Sequence, residues 1–166
     1  MAGKTMQKRN IPLLNEEQRE LMRAAARFNS QLMDFIRPQV VAGVTTGAID
    51  RLVAEYTRDH GHTPACLGYH GFPKTICTSI NDVICHGIPD NTVLTEGDIV
   101  NVDLTTIVNG WYGDQSETIM IGNVSDAARH LVQVTFDSLY AAINTLRPGS
   151  KVIEIGRAIA KTVRPH

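Results

Sequence analysis

Apolar residues in the first third of the chain recur at the three-and-four spacing of a helix, and over the middle third the period shifts toward two. Leu14, Leu21, Met22, Ala25, Phe28, Leu32, Met33 and Ile36 form one helical stripe; Asn15 and Glu16 suit its start, and Pro38 ends it. This predicts an amphipathic helix of about 20 residues. A second helix is predicted from Thr45 or Thr46, with Ile49, Leu52, Val53 and Tyr56 on one face and an end by Gly61. Both helices are expected to cover a sheet. Between Cys66 and Ile121 the β-branched fraction rises, predicting strands over Thr75–Ile80, Ile99–Val108 and Trp111–Ile121. Asn109-Gly110 is a favoured two-residue hairpin turn, so the last two strands should pair antiparallel. A third helix is predicted from Ser125 or Asp126 through about Leu146, closed by Pro148-Gly149, and a fourth from about Val152 to Val163. The succession predicts an α+β fold with helices on one face of a curved antiparallel sheet.

Residues 1–10 are polar and unpatterned and read as a loose leader, leaving 11–166 as one domain. With 43% apolar and 20% charged residues among 166, the chain has the composition of a folded globular protein. A net charge of −1 gives no field suited to a polyanion, which argues against direct nucleic-acid binding. No apolar run follows Lys4, Lys8 and Arg9, and none reaches the ~18 residues a membrane span requires. A cytoplasmic protein with no membrane partner is therefore expected. Cys66, Cys77 and Cys85 lack paired spacing and read as small buried apolar residues rather than a disulfide framework.

The candidate chemistry lies in the strands. Asp103 falls in a strongly apolar strand, where an unpartnered carboxylate costs several kcal/mol. Counting outward from the Asn109-Gly110 turn places Asp114 directly opposite Asp103 on the neighbouring strand. Opposed carboxylates repel unless a cation lies between them, and one of the pair could instead cap or salt-bridge locally. Aspartate oxygens with a nearby imidazole favour divalent Mn, Fe, Co or Zn, and a pair of such ions suits hydrolysis. His86, in the Cys85-His86-Gly87-Ile88-Pro89 turn, and His70, beside Tyr69 and Phe72, are the imidazoles in view. After Asp114 no His or Glu sits in a setting that would complete such a site.

Tyr69-His70-Gly71-Phe72-Pro73-Lys74, the run Ser79 to Asp90, Gly97 to Asp103 and Gly113-Asp114 together resemble the type I methionine aminopeptidases. The resemblance covers about Ile11 to Thr162, including Met22-Arg23-Ala24-Ala25 and Arg147-Pro148-Gly149. It implies a pita-bread fold and a cytoplasmic two-metal enzyme, loaded with Co, Mn, Fe or Zn, that removes the initiator methionine from nascent chains. Asp103 would bind one metal and Asp114 would bridge both. His86 would contact substrate and stabilise the tetrahedral intermediate, with His70 near the scissile bond. Cys66, Tyr69, Phe72 and Cys77 would line the methionine side-chain pocket. The family pattern continues into a second half carrying a Gly-His-Gly-Ile-Gly stretch, a substrate-contacting His and two glutamate ligands, none of which this sequence contains. The resemblance therefore implies an incomplete catalytic domain, inactive alone, with an exposed sheet edge, an uncovered apolar face and poor solubility. Its implied partners are N-terminal Met peptides of nascent chains, the ribosome and a complementing C-terminal fragment. The alternative expectation is a non-catalytic remnant that serves as a peptide- or ribosome-binding module.

Overall fold

A computed structural model describes residues 12–166; the leader proposed for residues 1–10 lies outside the described residues. Helix α1 spans Glu16–Ile36, opened by a reciprocal cap in which Asn15 and Gln18 each accept from the other's backbone N–H. Pro38 lies in a 3₁₀ turn, Arg37–Gln39, that follows α1 directly. Helix α2, Thr46–Asp59, begins at Thr45, whose hydroxyl accepts from the Ala48 amide. Four strands follow: β1 (Thr63–Pro64), β2 (Ile76–Ile80), β3 (Ile99–Val108) and β4 (Trp111–Met120). Helices α3 (Asp126–Ile143) and α4 (Ile153–Val163) complete the order. β1 is only two residues long and gave no period to read in the sequence.

β3 is the central strand. It pairs antiparallel with β1 and β2 along one edge and with β4 along the other. Its residues alternate without a break: Val100, Val102, Leu104, Thr106 and Val108 are buried, while Ile99, Asn101, Asp103, Thr105 and Ile107 are half-exposed. The buried face meets α1, whose Ala25, Phe28, Leu32, Met33 and Ile36 join Ile49 and Val53 of α2 and Ile76 of β2 in a single core. Asn29 sits within that core at 1% exposure. It is satisfied by donating to the Leu104 carbonyl (3.1 Å) and accepting from the Thr106 hydroxyl (2.9 Å), which fixes α1 against β3. Gly113 lets β4 approach α1 closely, because a Cβ there would lie 2.3 Å from the Ala25 carbonyl oxygen. At the surface of this layer Arg37 grips Glu117 of β4 through two donors, each at 2.8 Å.

The α+β architecture is the expected one, with α1 and α2 covering the sheet and α3 packed chiefly on α4. None of α4 is buried and α3 buries only Ser138 and Ala142, while Leu131, Phe136, Leu139 and Tyr140 stay more than half exposed. The amphipathic pattern of these helices records an apolar face without specifying its cover. One expectation needs correction: the cysteines are not uniformly buried, Cys77 being buried, Cys66 intermediate and Cys85 exposed.

Candidate metal and peptide site

The half-exposed face of β3 continues across the hairpin onto β4. The hairpin is closed by Asn109 (φ 50) and Gly110 (φ 82), so Val108 pairs with Trp111. That register puts Asp103 opposite Ser116 and Asp114 opposite Thr105. The two carboxylates therefore share a face as diagonal neighbours and do not oppose each other directly. The expected register miscounted the turn: with a two-residue loop, paired residue numbers add to the sum of the two loop residues. Diagonal backbone positions on one face are separated by roughly 7–8 Å, within side-chain reach and with room for a cation between the carboxylates.

Hydroxyl and amide groups order the rest of this face. Thr105 donates to Asp114 (3.2 Å), Ser116 donates to Asn101 (2.9 Å), and Asn101 donates to Thr118 (3.1 Å). The Asp103 carboxyl is pushed above the ordinary carboxylate range, first by burial and then by the charge of Asp114, with His86 acting in the opposite direction.

Two loops wall the face. The first runs from β1 to β2 through a 3₁₀ turn at Tyr69–Gly71. Gly68 (φ 83), His70 (φ 47) and Gly71 (φ 81) all adopt left-handed backbone there, and the His70 ring stands edge-on to Tyr69 at 4.4 Å. The far end of this loop is fastened to α2: buried Asp50 accepts from the Thr75 amide (2.8 Å) and hydroxyl (2.6 Å), with the Lys74 ammonium 3.6 Å away. The second loop, after β2, carries His86 at φ 54. Its neighbour Gly87 is pressed onto β2, donating to the Ser79 hydroxyl (3.2 Å) and accepting from the Thr78 amide (2.9 Å). A Cβ at Gly87 would lie 2.1 Å from the Thr78 carbonyl oxygen, so only glycine permits this seat. Asp90 then ties the loop to the start of α2 through the Gly47 amide (2.7 Å) and the Thr46 hydroxyl (2.9 Å). Both site histidines thus occupy left-handed backbone, a conformation that non-glycine residues adopt uncommonly, and at His86 the packed Gly87 holds it.

The walls border an open cavity of about 900 Å³. Every residue singled out from the sequence lines it: Asp103 and Asp114 from the sheet, His86 from one loop, and Cys66, Tyr69, His70 and Phe72 with Cys77 around the other side. Thr105, Tyr112 and Ile88 line it too and were not anticipated. A period of two from Asp103 and Asp114 already points to Thr105 and Tyr112. Burial pushes the Cys77 thiol up to about 12, aided by Cys66 and Asp103, and burial with Asp103 likewise raises Cys66. The pocket wall therefore carries neutral, soft thiols beside aromatic rings.

Oxygen donors from two aspartates fit a hard or borderline divalent cation in kind. Their number is smaller than an ordinary coordination sphere. Among the described residues no group of three or more His, Cys, Asp and Glu side chains is arranged to hold a metal ion.

With this geometry in place, comparison with known proteins gives a consistent result. Residues 20–166 match the model of metallopeptidase family M24. A methionine aminopeptidase of Rickettsia prowazekii is 45% identical over 145 residues, covering 87% of this chain and 56% of that protein. One from Escherichia coli K12 is 43% identical over 155 residues, covering 92% and 59% respectively. The crystal structure of the Rickettsia prowazekii methionine aminopeptidase superposes with a TM-score of 0.92 at 43% identity, covering 94% of this chain and 63% of that one. The chain belongs to metallopeptidase family M24 and has the N-terminal part of its pita-bread fold. It spans less than two thirds of the length of these relatives.

Proposed function

We propose that this chain carries one side of the active site of a cytoplasmic metal-dependent aminopeptidase that removes methionine from the N-termini of nascent proteins. The observation that supports it best is the shared face of Asp103 and Asp114 inside a cavity walled by His86, His70 and two neutral cysteines. Asp103 and Asp114 would hold the divalent metal, as two ions of Co, Mn, Fe or Zn in the complete enzyme; bound there, metal supplies a hydroxide nucleophile and polarises the peptide carbonyl. Further donors from polypeptide outside these 166 residues would complete the coordination, so the chain alone is inactive.

The residues present divide the remaining work. Thr105 orients Asp114 by its hydroxyl, leaving the second carboxylate oxygen free for a cation. His86 is fixed at the cavity wall by the Gly87 seat and can donate through an imidazole N–H to a carbonyl oxygen on which charge develops. His70, on the opposite loop, faces the same space and bounds the position of the scissile bond. Cys66 and Cys77 with Tyr69 and Phe72 offer a soft apolar wall suited to a thioether side chain. Raised thiol pKa values keep that wall uncharged, which favours methionine over polar residues.

The test is methionine release from a Met-Ala-Ser peptide by the 166 residues fused to the part of the Rickettsia prowazekii relative that they do not span. Release that depends on added Mn²⁺ or Co²⁺ and disappears in Asp103→Ala and Asp114→Ala is expected. Release that survives both substitutions would contradict the proposed roles. No structural observation favours the non-catalytic binding-module reading.

A further inference from the structure

Cys66 and Cys77 are brought together by the sheet although ten residues separate them. β1 and β2 lie end to end along the same edge of β3: Pro64 pairs with Thr106, the Ala65 amide donates to the Thr105 carbonyl (2.9 Å), and Ile76 and Cys77 pair with Leu104 and Asp103. Cys66 therefore leaves β1 where Cys77 enters β2, and both line the same cavity. Cys77 pairs across the strands with Asp103, and Asp103 lines the cavity together with both thiols. The segment between them turns through three left-handed residues and keeps Leu67 and Tyr69 more than half exposed, so its backbone can adjust to a new cross-link.

We propose that Cys66 and Cys77 form a dithiol modification site that a peroxide-class oxidant closes as an intramolecular disulfide. In the first half of the reaction one thiolate attacks a peroxide oxygen, the O–O bond breaks, and a sulfenic acid forms with loss of water or alcohol. The second thiol then displaces the sulfenic oxygen as water, forming the S–S bond. Two thiols lose two electrons and two protons in all, and the peroxide accepts them. Exposed Cys85 is a third thiol and the natural competitor for oxidant. Closing the bond would replace two thiol groups of the pocket wall with one rigid bridge; the consequence for peptide binding rests on the aminopeptidase reading, whereas bond formation does not.

The experiment uses the 166-residue chain under denaturation-free treatment with hydrogen peroxide, followed by intact-mass and non-reducing peptide mass analysis. Expected is loss of two hydrogen atoms per chain, a peptide cross-linked between Cys66 and Cys77, and full reversal by dithiothreitol. The same bond should form in Cys85→Ser and be absent in Cys77→Ser. Phenylarsine oxide, which needs two neighbouring thiols, should protect Cys66 and Cys77 together from later alkylation in the untreated protein. Oxygen addition confined to Cys85, a bridge that includes Cys85, or independent alkylation of Cys66 and Cys77 after phenylarsine oxide would overturn the proposal. None of these readouts depends on peptidase activity, so a failed aminopeptidase reading would leave the result interpretable.

Discussion

Asp103 and Asp114 lie diagonally across the β3–β4 hairpin, each paired with the residue two positions beyond the other: Asp103 with Ser116, and Asp114 with Thr105. This offset keeps both carboxylates on one face while avoiding the closest cross-strand spacing. Without a cation their mutual repulsion remains, and it adds to burial, the larger cause, in raising the Asp103 pKa.

The stability consequence has a definite sign. A carboxyl whose folded pKa lies above its unfolded value binds more protons when folded, so its effect on stability becomes unfavourable as pH rises through that window and stays so at neutral pH. Asp103→Asn should therefore stabilise the metal-free chain at neutral pH, by under ~1 kcal/mol after allowing for solvent screening of a half-exposed site. The gain should shrink toward acid pH. Thermal unfolding of both proteins across that range checks it; a neutral-pH loss in Asp103→Asn would count against the repulsion.

Asn29 is the polar pin of the core. Asn29→Leu removes both bonds to β3 and strands the Thr106 hydroxyl, which should cost about 1–3 kcal/mol and lower the denaturant midpoint. An unchanged midpoint in chemical denaturation would show that α1 is held by apolar packing alone.

Gly87→Ala should be poorly tolerated, because its Cβ meets backbone rather than a flexible side-chain end. Moving the loop away from β2 to relieve that clash should cost about 1–3 kcal/mol and displace His86. Chemical-shift changes confined to Ser79 and residues 85–88 would report the displacement; spectra matching wild type would refute it.

The uncovered face of α3 and α4 predicts self-association. Leu131, Phe136 and Leu139 on α3, with Val152 and Ile153 at the start of α4, present apolar surface of the kind that monomeric proteins seldom leave open. Light scattering should show growth of aggregates with concentration, reduced in a Phe136→Glu, Leu139→Lys double variant. A wild-type chain that stays monomeric at high concentration would contradict this.

Much of the fold was legible because its signals are local. Strand β3 announces itself by ten residues of β-branched alternation, and Asn109-Gly110 dictates a two-residue turn. Asn15, Thr45 and Ser125 each mark a helix start by the side-chain cap the structure shows. What depended on relations between elements was less readable. A two-residue strand such as Thr63–Pro64 has no period, and an amphipathic helix does not reveal what will cover it. The left-handed backbone of His86 is held by the packing of Gly87 on β2, a relation between elements that composition alone does not encode. Neither does the placement of Cys66 beside Cys77, which requires β1 and β2 to share one edge of β3.

The central claim, that Asp103 and Asp114 together form the protein's divalent-metal platform, is tested most directly by titrating the chain with Mn²⁺ and following free Mn²⁺ by electron paramagnetic resonance. Weak binding by the wild-type chain, lost when both aspartates are changed to asparagine while the fold is retained, is the predicted result. Binding of equal strength in the double variant, or free Mn²⁺ unchanged by either protein, would contradict it.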